Sequence, residues 1–238
     1  MFNTKISLYG IVMILSIIIG LIVVYIYAKK EKFTKEELMV FIIFIGLGTI
    51  YGAKYYTFFT NPNKYNGHFD FIRVGQSSYG ALIGILLMLF LYSKLCKKSY
   101  KDLLYIITPP IPLMYGIGKI GCFLAGCCYG IKYDGPLSIT YNYSVSAPKG
   151  ISLFPIQIVE TIVFILIFLY INKKTKKEKN KNKIIGLTLI LCSIFKFLLD
   201  YLRMEHVNKM ITINQIVSLI FLIIGIILLT KYKYKRTK

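Results

Sequence analysis

The chain has 238 residues, 56% of them hydrophobic, and its mean hydropathy is +0.62. Soluble domains are about 45–50% apolar, so this composition excludes an ordinary soluble domain. The formal net charge of +20 would suit a nucleic-acid-binding protein, but its distribution along the chain indicates a different cause.

Apolar segments of about 20 residues, the length of a membrane-spanning helix, recur along the chain. We therefore predict an all-α integral membrane protein that forms one domain. Three prolines interrupt the fourth segment, and such breaks are tolerated where protein or a cavity satisfies the backbone. A loop with a short strand pair is expected around Ile139–Tyr143. The seven predicted spans are about 6–28, 37–59, 76–95, 103–123, 155–172, 184–202 and 211–230.

The basic residues are clustered, with 20 of the 30 lysines and arginines in four short segments. Each cluster follows an odd-numbered span, and cytoplasmic loops carry the excess of Lys and Arg, so we predict the N-terminus outside and the C-terminus inside. Such segments also suit contact with anionic membrane lipids. No nucleic acid is expected as a partner, because that would require lysines gathered on one surface with aromatic side chains. The clusters are Lys29–Lys35, Lys94–Lys101, Lys173–Lys183 and Lys231–Lys238.

Three lysines lie inside predicted spans, where membrane topology does not account for them. A charge at the bilayer centre costs about 2.5–3.5 kcal/mol, so such residues are candidates for function. Lys54 is near a span end, from which its side chain could reach the interface. Lys119 and Lys196 are expected to face the protein interior.

The segment Gly118–Gly130, GKIGCFLAGCCYG, joins a lysine, three cysteines and four glycines at the end of an apolar span. It indicates a polar site inside a membrane protein. The spacing of Cys122, Cys127 and Cys128 is not that of the usual zinc sites, and we predict no metal and no organic cofactor. The cysteines could serve as small apolar residues among glycines, the favoured interpretation, or form a disulfide on the exterior side.

Seven short motifs run along nearly the whole chain. They are Tyr9-Gly10, GAKYY at Gly52–Tyr56, YGALIG at Tyr79–Gly84, PPIPLMYGIGKIGCFLAG at Pro109–Gly126, FPIQIVE at Phe154–Glu160, KFLLDYLR at Lys196–Arg203 and ITINQIVSL at Ile211–Leu219. In this order they resemble the motifs of the bacterial prolipoprotein diacylglyceryl transferases, seven-span enzymes of the cytoplasmic membrane. That family transfers a diacylglyceryl group from phosphatidylglycerol to the thiol of a lipobox cysteine in a secreted preprotein.

The resemblance implies the same multi-pass location, the same two substrates and a set of site residues. Lys119, Lys196 and Arg203 would bind the phosphatidylglycerol head group, and Tyr79 would line the reaction centre. The implied catalytic residues are Tyr79, Lys119, Asp200 and Arg203. The implied substrate-binding residues are Lys119, Lys196, Arg203, Lys54, Tyr9, Gln157, Glu160, Cys122 and Cys127.

Several positions depart from the family's motifs. Lysine replaces arginine three times, and Asp200 replaces glutamate, so these positions keep their charge. The family's histidine is Tyr79 here, an aspartate is Tyr105, and a glutamate is Cys127. The cationic part of the site is therefore retained better than its acid–base part.

These departures leave alternatives open. Tyrosine ordinarily ionises near pH 10, so Tyr79 would be a poor base and could instead hydrogen-bond a phosphate or anchor the interface. His68 and His206 are other candidates for the thiol proton. Asp200 could contact substrate or pair with Lys196 and Arg203 on one helix face, and Glu160 could pair with a lysine such as Lys54. The chain could also act on another lipid or thiol, or bind anionic lipid or a preprotein without turnover.

Overall fold

The computed structural model describes residues 4–60, 62–65, 67–71, 73–74, 77–207 and 210–236. Helices dominate the described chain, joined by short 3₁₀ turns and one two-stranded ribbon. The helices are α1 (Thr4–Lys30), α2 (Lys35–Thr60), α3 (Ser78–Leu95), α4 (Tyr100–Ile107), α5 (Ile111–Ala125), α6 (Ile156–Thr175), α7 (Lys181–Asp200) and α8 (Ile213–Arg236). The strands are β1 (Ile139–Thr140) and β2 (Ser152–Leu153), and the 3₁₀ turns are Pro62–Tyr65 and Met204–His206.

The described residues contain seven helical stretches long and apolar enough to cross a membrane, which confirms the predicted fold class. The third helix begins at Ser78, whereas the predicted start at residue 76 lies outside the described ranges. The fourth stretch contains the expected break, because α4 ends at Ile107 and α5 begins at Ile111 after two prolines. The orientation of the termini stays a prediction.

The chain forms two compact units, one comprising Tyr25–Leu104 and the other the described residues on either side of it. The expectation of one domain stays a prediction. In the first unit α2 packs along α3 through glycines. A Cβ added at Gly84 would lie 2.0 Å from the carbonyl oxygen of Gly48, so the two backbones touch directly. Small residues allow this close approach between membrane helices.

In the second unit α5, α6, α7 and α8 pack side by side in chain order. The segment after α5 folds over the end of that helix, because the Val145 and Ala147 N–H groups donate to the Ala125 and Gly126 carbonyls at 2.8 and 2.9 Å. The ribbon pairs Ile139 with Leu153. One strand therefore lies in the segment where a strand pair was predicted, but its partner strand begins only at Ser152.

Large apolar side chains cover the outer faces of the spans. Ile14, Leu87 and Leu166 are 58%, 63% and 58% exposed. A water-soluble protein avoids apolar surfaces of this extent, whereas a hydrocarbon solvent favours them. The charged residues inside the spans are instead buried within each unit, as Lys54 is in the first unit and Lys119 and Glu160 are in the second.

Candidate functional site

The buried carboxylate of Glu160 is the centre of the site. It lies on α6 with no solvent exposure. Lys119 Nζ of α5 is 2.8 Å from Oε2, Lys196 Nζ of α7 is 2.7 Å from Oε1, and the Tyr115 hydroxyl donates to Oε1 at 2.8 Å. A buried charge is stable only when it is paired and hydrogen-bonded. Two lysines on one carboxylate leave the cluster with one excess positive charge.

Tyr115 supports both lysines with its ring as well as its hydroxyl. Lys119 Nζ and Lys196 Nζ lie 5.0 and 5.3 Å from the ring centroid, within the range of cation–π attraction. The ring packs against Phe164 at a centroid distance of 4.4 Å. Tyr115 was not predicted as a site residue, although its position four residues before Lys119 places both on one face of α5.

Gly116 allows α5 to approach α6 where the cluster forms. The Thr161 hydroxyl donates to the Gly116 carbonyl at 3.0 Å and to the Gln157 carbonyl at 2.8 Å. A Cβ added at Gly116 would stand 3.1 Å from the Thr161 carbonyl oxygen. The close contact brings Lys119 within reach of Glu160.

Arg203 lies beyond the end of α7, so the predicted single helix face for Lys196, Asp200 and Arg203 is wrong. The helix ends at Asp200, and Arg203 is extended, with φ −96° and ψ 141°. Backbone pairing with the segment after α5 replaces the next helical turn. The Ile131 N–H donates to the Leu202 carbonyl at 3.1 Å, and Arg203 forms a β-bridge with Gly130.

Asp200 pairs with Arg203 and the start of α8, so of the two cations that it could hold, Arg203 is the one that it binds among the described residues. Its Oδ1 is 3.6 Å from Arg203 Nη1 and accepts from Asn214 Nδ2 at 3.1 Å. Its Oδ2 accepts from the Thr212 hydroxyl. Lys196 binds Glu160 because it lies one turn earlier on α7 and faces α6.

The guanidinium of Arg203 is buried, but its hydrogen bonding is incomplete. It is 5% exposed, Nη2 is 3.5 Å from Glu205 Oε2, and Nε has no hydrogen-bond partner among the described residues. Burial opposes the charge, but negative charge at Cys128 and Glu160 outweighs that effect and raises the pKa of Arg203 above its ordinary value. The side chain therefore stays charged and retains a free donor.

Gln157, in the first turn of α6, links the site to the loop after α5. Its Nε2 donates to the Cys127 carbonyl at 2.9 Å and lies 3.5 Å from the Tyr141 hydroxyl. Its Oε1 is buried and has no partner within the described part of the chain. Burial raises the pKa of Tyr141 to about 12, so this phenol stays protonated and donates to the Phe123 carbonyl at 3.1 Å.

The three clustered cysteines lie together at the end of α5. Their Sγ atoms are all within 4.8 Å of one another, and the structure contains them as free thiols. The spacing did not predict this convergence. Hydrogen bonds with Cys122 and Cys127 lower the pKa of Cys128, helped by the charges of Lys119 and Arg203, while bonds with Cys122 and Cys128 raise the pKa of Cys127.

Lys54 is buried at 7% exposure, and its side chain extends to the loop that follows α2. Its Nζ donates to the Val74 carbonyl at 3.0 Å and to the Phe71 carbonyl, and lies 4.7 Å from the Phe71 ring centroid. Lys54 thus holds the loop after α2. Pairing of Glu160 with a lysine, one of the alternatives left open by the sequence, is observed with Lys119 and Lys196.

Tyr79 and Tyr9 lie on different units. Tyr79 is half-buried in the first turn of α3, where Ser77 caps the helix by accepting from the Gly80 N–H at 3.4 Å. Tyr9 of α1 lies against α5, because a Cβ added at Gly121 would be 3.3 Å from the Tyr9 ring. Tyr9 therefore packs against α5 at Gly121, the residue that precedes Cys122.

The two histidines differ in their surroundings. His68 is exposed, which suits a solvated loop residue. His206 is half-buried and packs edge-to-face on Tyr201 at 4.4 Å, and its buried Nδ1 has no hydrogen-bond partner in the described residues. Of the two, His206 has the environment of a functional side chain.

Seven spans with cations and carboxylates buried among them define an integral membrane protein with a charged site at membrane depth. Residues 1–231 match the family model of the prolipoprotein diacylglyceryl transferases, and the chain belongs to this family. The predicted family and transferase class are therefore confirmed.

Two of the three curated relatives described here cover nearly the whole chain. It is 28% identical over 244 residues to a phosphatidylglycerol–prolipoprotein diacylglyceryl transferase of Clostridium tetani, with 99% of this chain and 97% of that protein covered. A relative from Campylobacter hominis is 28% identical, covering 94% and 86%. The transferase 2 of Clostridium perfringens is 32% identical over 162 residues, covering 67% and 63%.

Proposed function

We propose that the protein transfers the diacylglyceryl group of phosphatidylglycerol to the lipobox cysteine of a prolipoprotein at the bacterial cytoplasmic membrane. The names of its relatives contain both substrates. The observation that carries the proposal is the buried cluster in which Lys119 and Lys196 share Glu160, with incompletely bonded Arg203 nearby. Lys119 and Lys196 share the single carboxylate of Glu160, which leaves a positive charge that a lipid phosphate would balance.

The reaction exchanges a carbon–oxygen bond for a carbon–sulfur bond. The cysteine thiol loses its proton, and the sulfur attacks the glycerol carbon that bears the phosphate. The bond from that carbon to the phosphate oxygen breaks, and its electron pair leaves with glycerol phosphate. The phosphodiester thus gains a second negative charge as it becomes a monoester. Cations held in place stabilise the transition state most where charge develops in this way.

The cluster is preorganised for that task. Glu160 and Tyr115 fix both lysine ammonium groups before substrate binds, so little reorganisation is needed during the reaction. Lysine acts on phosphate as a point charge, whereas arginine offers a directional fork. Arg203 Nε would supply the directional donor, with Asp200 orienting the guanidinium.

We assign the role of accepting the thiol proton to Tyr79 or to His206. Tyr79 occupies the position of the family's histidine and lines the reaction centre in this proposal. His206 is the second candidate because its buried Nδ1 has no partner in the described chain. We further assign Tyr9, Gln157, Cys122 and Cys127 to the substrate-binding wall, and Lys54 to positioning the loop after α2.

Transfer in proteoliposomes tests this function. The protein would be given phosphatidylglycerol labelled in an acyl chain and in the head-group glycerol, with a lipobox peptide and a matched peptide in which serine replaces the cysteine. We expect acyl label on the cysteine peptide alone, with release of labelled glycerol phosphate. Transfer only from another lipid would favour a same-fold enzyme of different specificity, and lipid binding without consumption would favour a non-enzymatic role.

A further inference from the structure

The thiols of Cys122, Cys127 and Cys128 form a cluster, and a place for Cys122 and Cys127 in the substrate-binding wall does not explain why the three thiols converge. All three Sγ atoms lie within 4.8 Å of one another, and each side chain is half-buried. The other two cysteines, Cys96 and Cys192, do not belong to the group. If these cysteines only filled space between glycines, their three thiols would not need to lie so close together.

The backbone brings the thiols together. Gly126 ends α5 in the left-handed region with φ 66°, and the Cys127 N–H returns to the Cys122 carbonyl at 3.0 Å. Cys128 is also left-handed, with φ 54°. That conformation is uncommon for a residue with a side chain and costs roughly 1–2 kcal/mol. Cys128 therefore has a strained backbone conformation, and this conformation directs its thiol toward the other two.

The distances suit a bound metal ion. A thiolate sulfur stands about 2.3 Å from zinc, so three sulfurs around a metal in one plane are about 4 Å apart. Small side-chain rotations would bring the observed sulfurs to that separation. A disulfide would require two sulfurs to approach to about 2.0 Å and would leave the third thiol unused.

The ligand set and the local charge indicate which metal. Thiolates select soft ions such as Cu(I) and Zn(II). Structural zinc takes four protein ligands, but the cluster found among the described residues contains three sulfurs and no histidine or carboxylate. Three thiolates around one Cu(I) carry two negative charges, and Lys119 supplies a positive charge three residues before Cys122 on the same helix.

We propose that Cys122, Cys127 and Cys128 form a three-thiolate site for Cu(I). Binding forms three copper–sulfur bonds and releases the remaining thiol protons to solvent, and copper keeps its oxidation state. Copper binding is a property beyond the transferase reaction, and no step of that reaction requires it.

The test is a Cu(I) titration of the full-length, reduced protein in detergent under anaerobic conditions, against a competing coloured Cu(I) chelator. We expect one Cu(I) per chain. Replacing any one of Cys122, Cys127 and Cys128 by serine should weaken the affinity by at least about tenfold, because even outer-shell changes cost that much. The matched controls Cys96→Ser and Cys192→Ser should bind like the unmodified protein.

A second measurement needs no variant. Cu(I) added to the unmodified protein should protect Cys122, Cys127 and Cys128 from alkylation, as read by peptide mass spectrometry, while Cys96 and Cys192 react as before. The proposal is overturned if the chelator retains the copper, if Cys96→Ser or Cys192→Ser weakens binding equally, or if Zn(II) alone binds and protects. Neither readout involves lipid transfer, so failure here is distinct from failure of the proposed function.

Discussion

At the scale of single residues, Glu160 stabilises two buried lysines at once. Glu160→Gln would leave both Lys119 and Lys196 without their carboxylate in a buried site. Breaking a buried pair by removing one partner costs about 3–5 kcal/mol. We expect a clearly lowered thermal unfolding temperature in detergent and little folded protein.

Glu178→Gln is the matched control for that change. Glu178 pairs with Lys183 at 2.6 Å, but both side chains are partly solvent-exposed, and such pairs contribute about 0–1 kcal/mol. Its unfolding temperature should stay near that of the unmodified protein. Equal unfolding temperatures for the two variants would mean that Glu160 does not hold the cluster together.

The effects of two substitutions on transfer distinguish the two candidate proton acceptors. If His206 accepts the thiol proton, His206→Gln should lower kcat/KM by about 10²–10⁴-fold, the usual contribution of a general base, while Tyr79→Phe should change it little. The measurement is kcat/KM for the unmodified protein and the two variants under the same conditions. A large loss in Tyr79→Phe with little change in His206→Gln would assign the role to Tyr79.

The sequence predicts which residues are buried better than which residues they contact. Lys119 was expected to face the interior because an intramembrane charge must avoid lipid, and it is 5% exposed. Its pairing with Glu160 was not predicted, because that partner comes from another helix and depends on the contact at Gly116. The convergence of the cysteines depends on two left-handed residues, which spacing alone does not indicate.

At the scale of helices, the contact between α2 and α3 depends on residues without side chains. A Cβ at Gly48 would stand 2.6 Å from the Gly84 carbonyl oxygen, whereas a Cβ at Gly46 meets nothing within 4 Å. Gly48→Ala should therefore force the helices apart and lower the unfolding temperature. Gly46→Ala, two residues away on the same helix, should leave it unchanged or slightly higher. Equal effects would contradict direct backbone contact.

Hydropathy located the spans because each crosses about the same thickness of hydrocarbon. It did not locate the end of α7, since apolar residues continue to Leu202. The helix stops because the chain at Leu202–Met204 hydrogen-bonds instead to Tyr129 and Ile131. These hydrogen bonds end α7 and place Arg203 at the site. The position of this cation therefore depends on a contact with a distant segment of the chain.

At the scale of the whole molecule, the basic clusters predict the orientation in the membrane. Lys173–Lys183 should lie on the cytoplasmic side. Trypsin should therefore cleave this segment in inside-out vesicles and spare it in right-side-out vesicles, as read by mass spectrometry of the fragments. Cleavage in sealed right-side-out vesicles would reverse the predicted topology.

The central claim is that buried cations stabilise the phosphate of the departing head group, and Lys119 tests it most directly. The measurement is the turnover of phosphatidylglycerol in proteoliposomes by Lys119→Met, Lys119→Arg and the exposed control Lys149→Met, each shown to be folded. Loss of one preorganised group of this kind costs about 10²–10³-fold in turnover. We predict that loss for Lys119→Met, substantial activity for Lys119→Arg, and unchanged activity for Lys149→Met. Unmodified turnover in Lys119→Met would contradict the account.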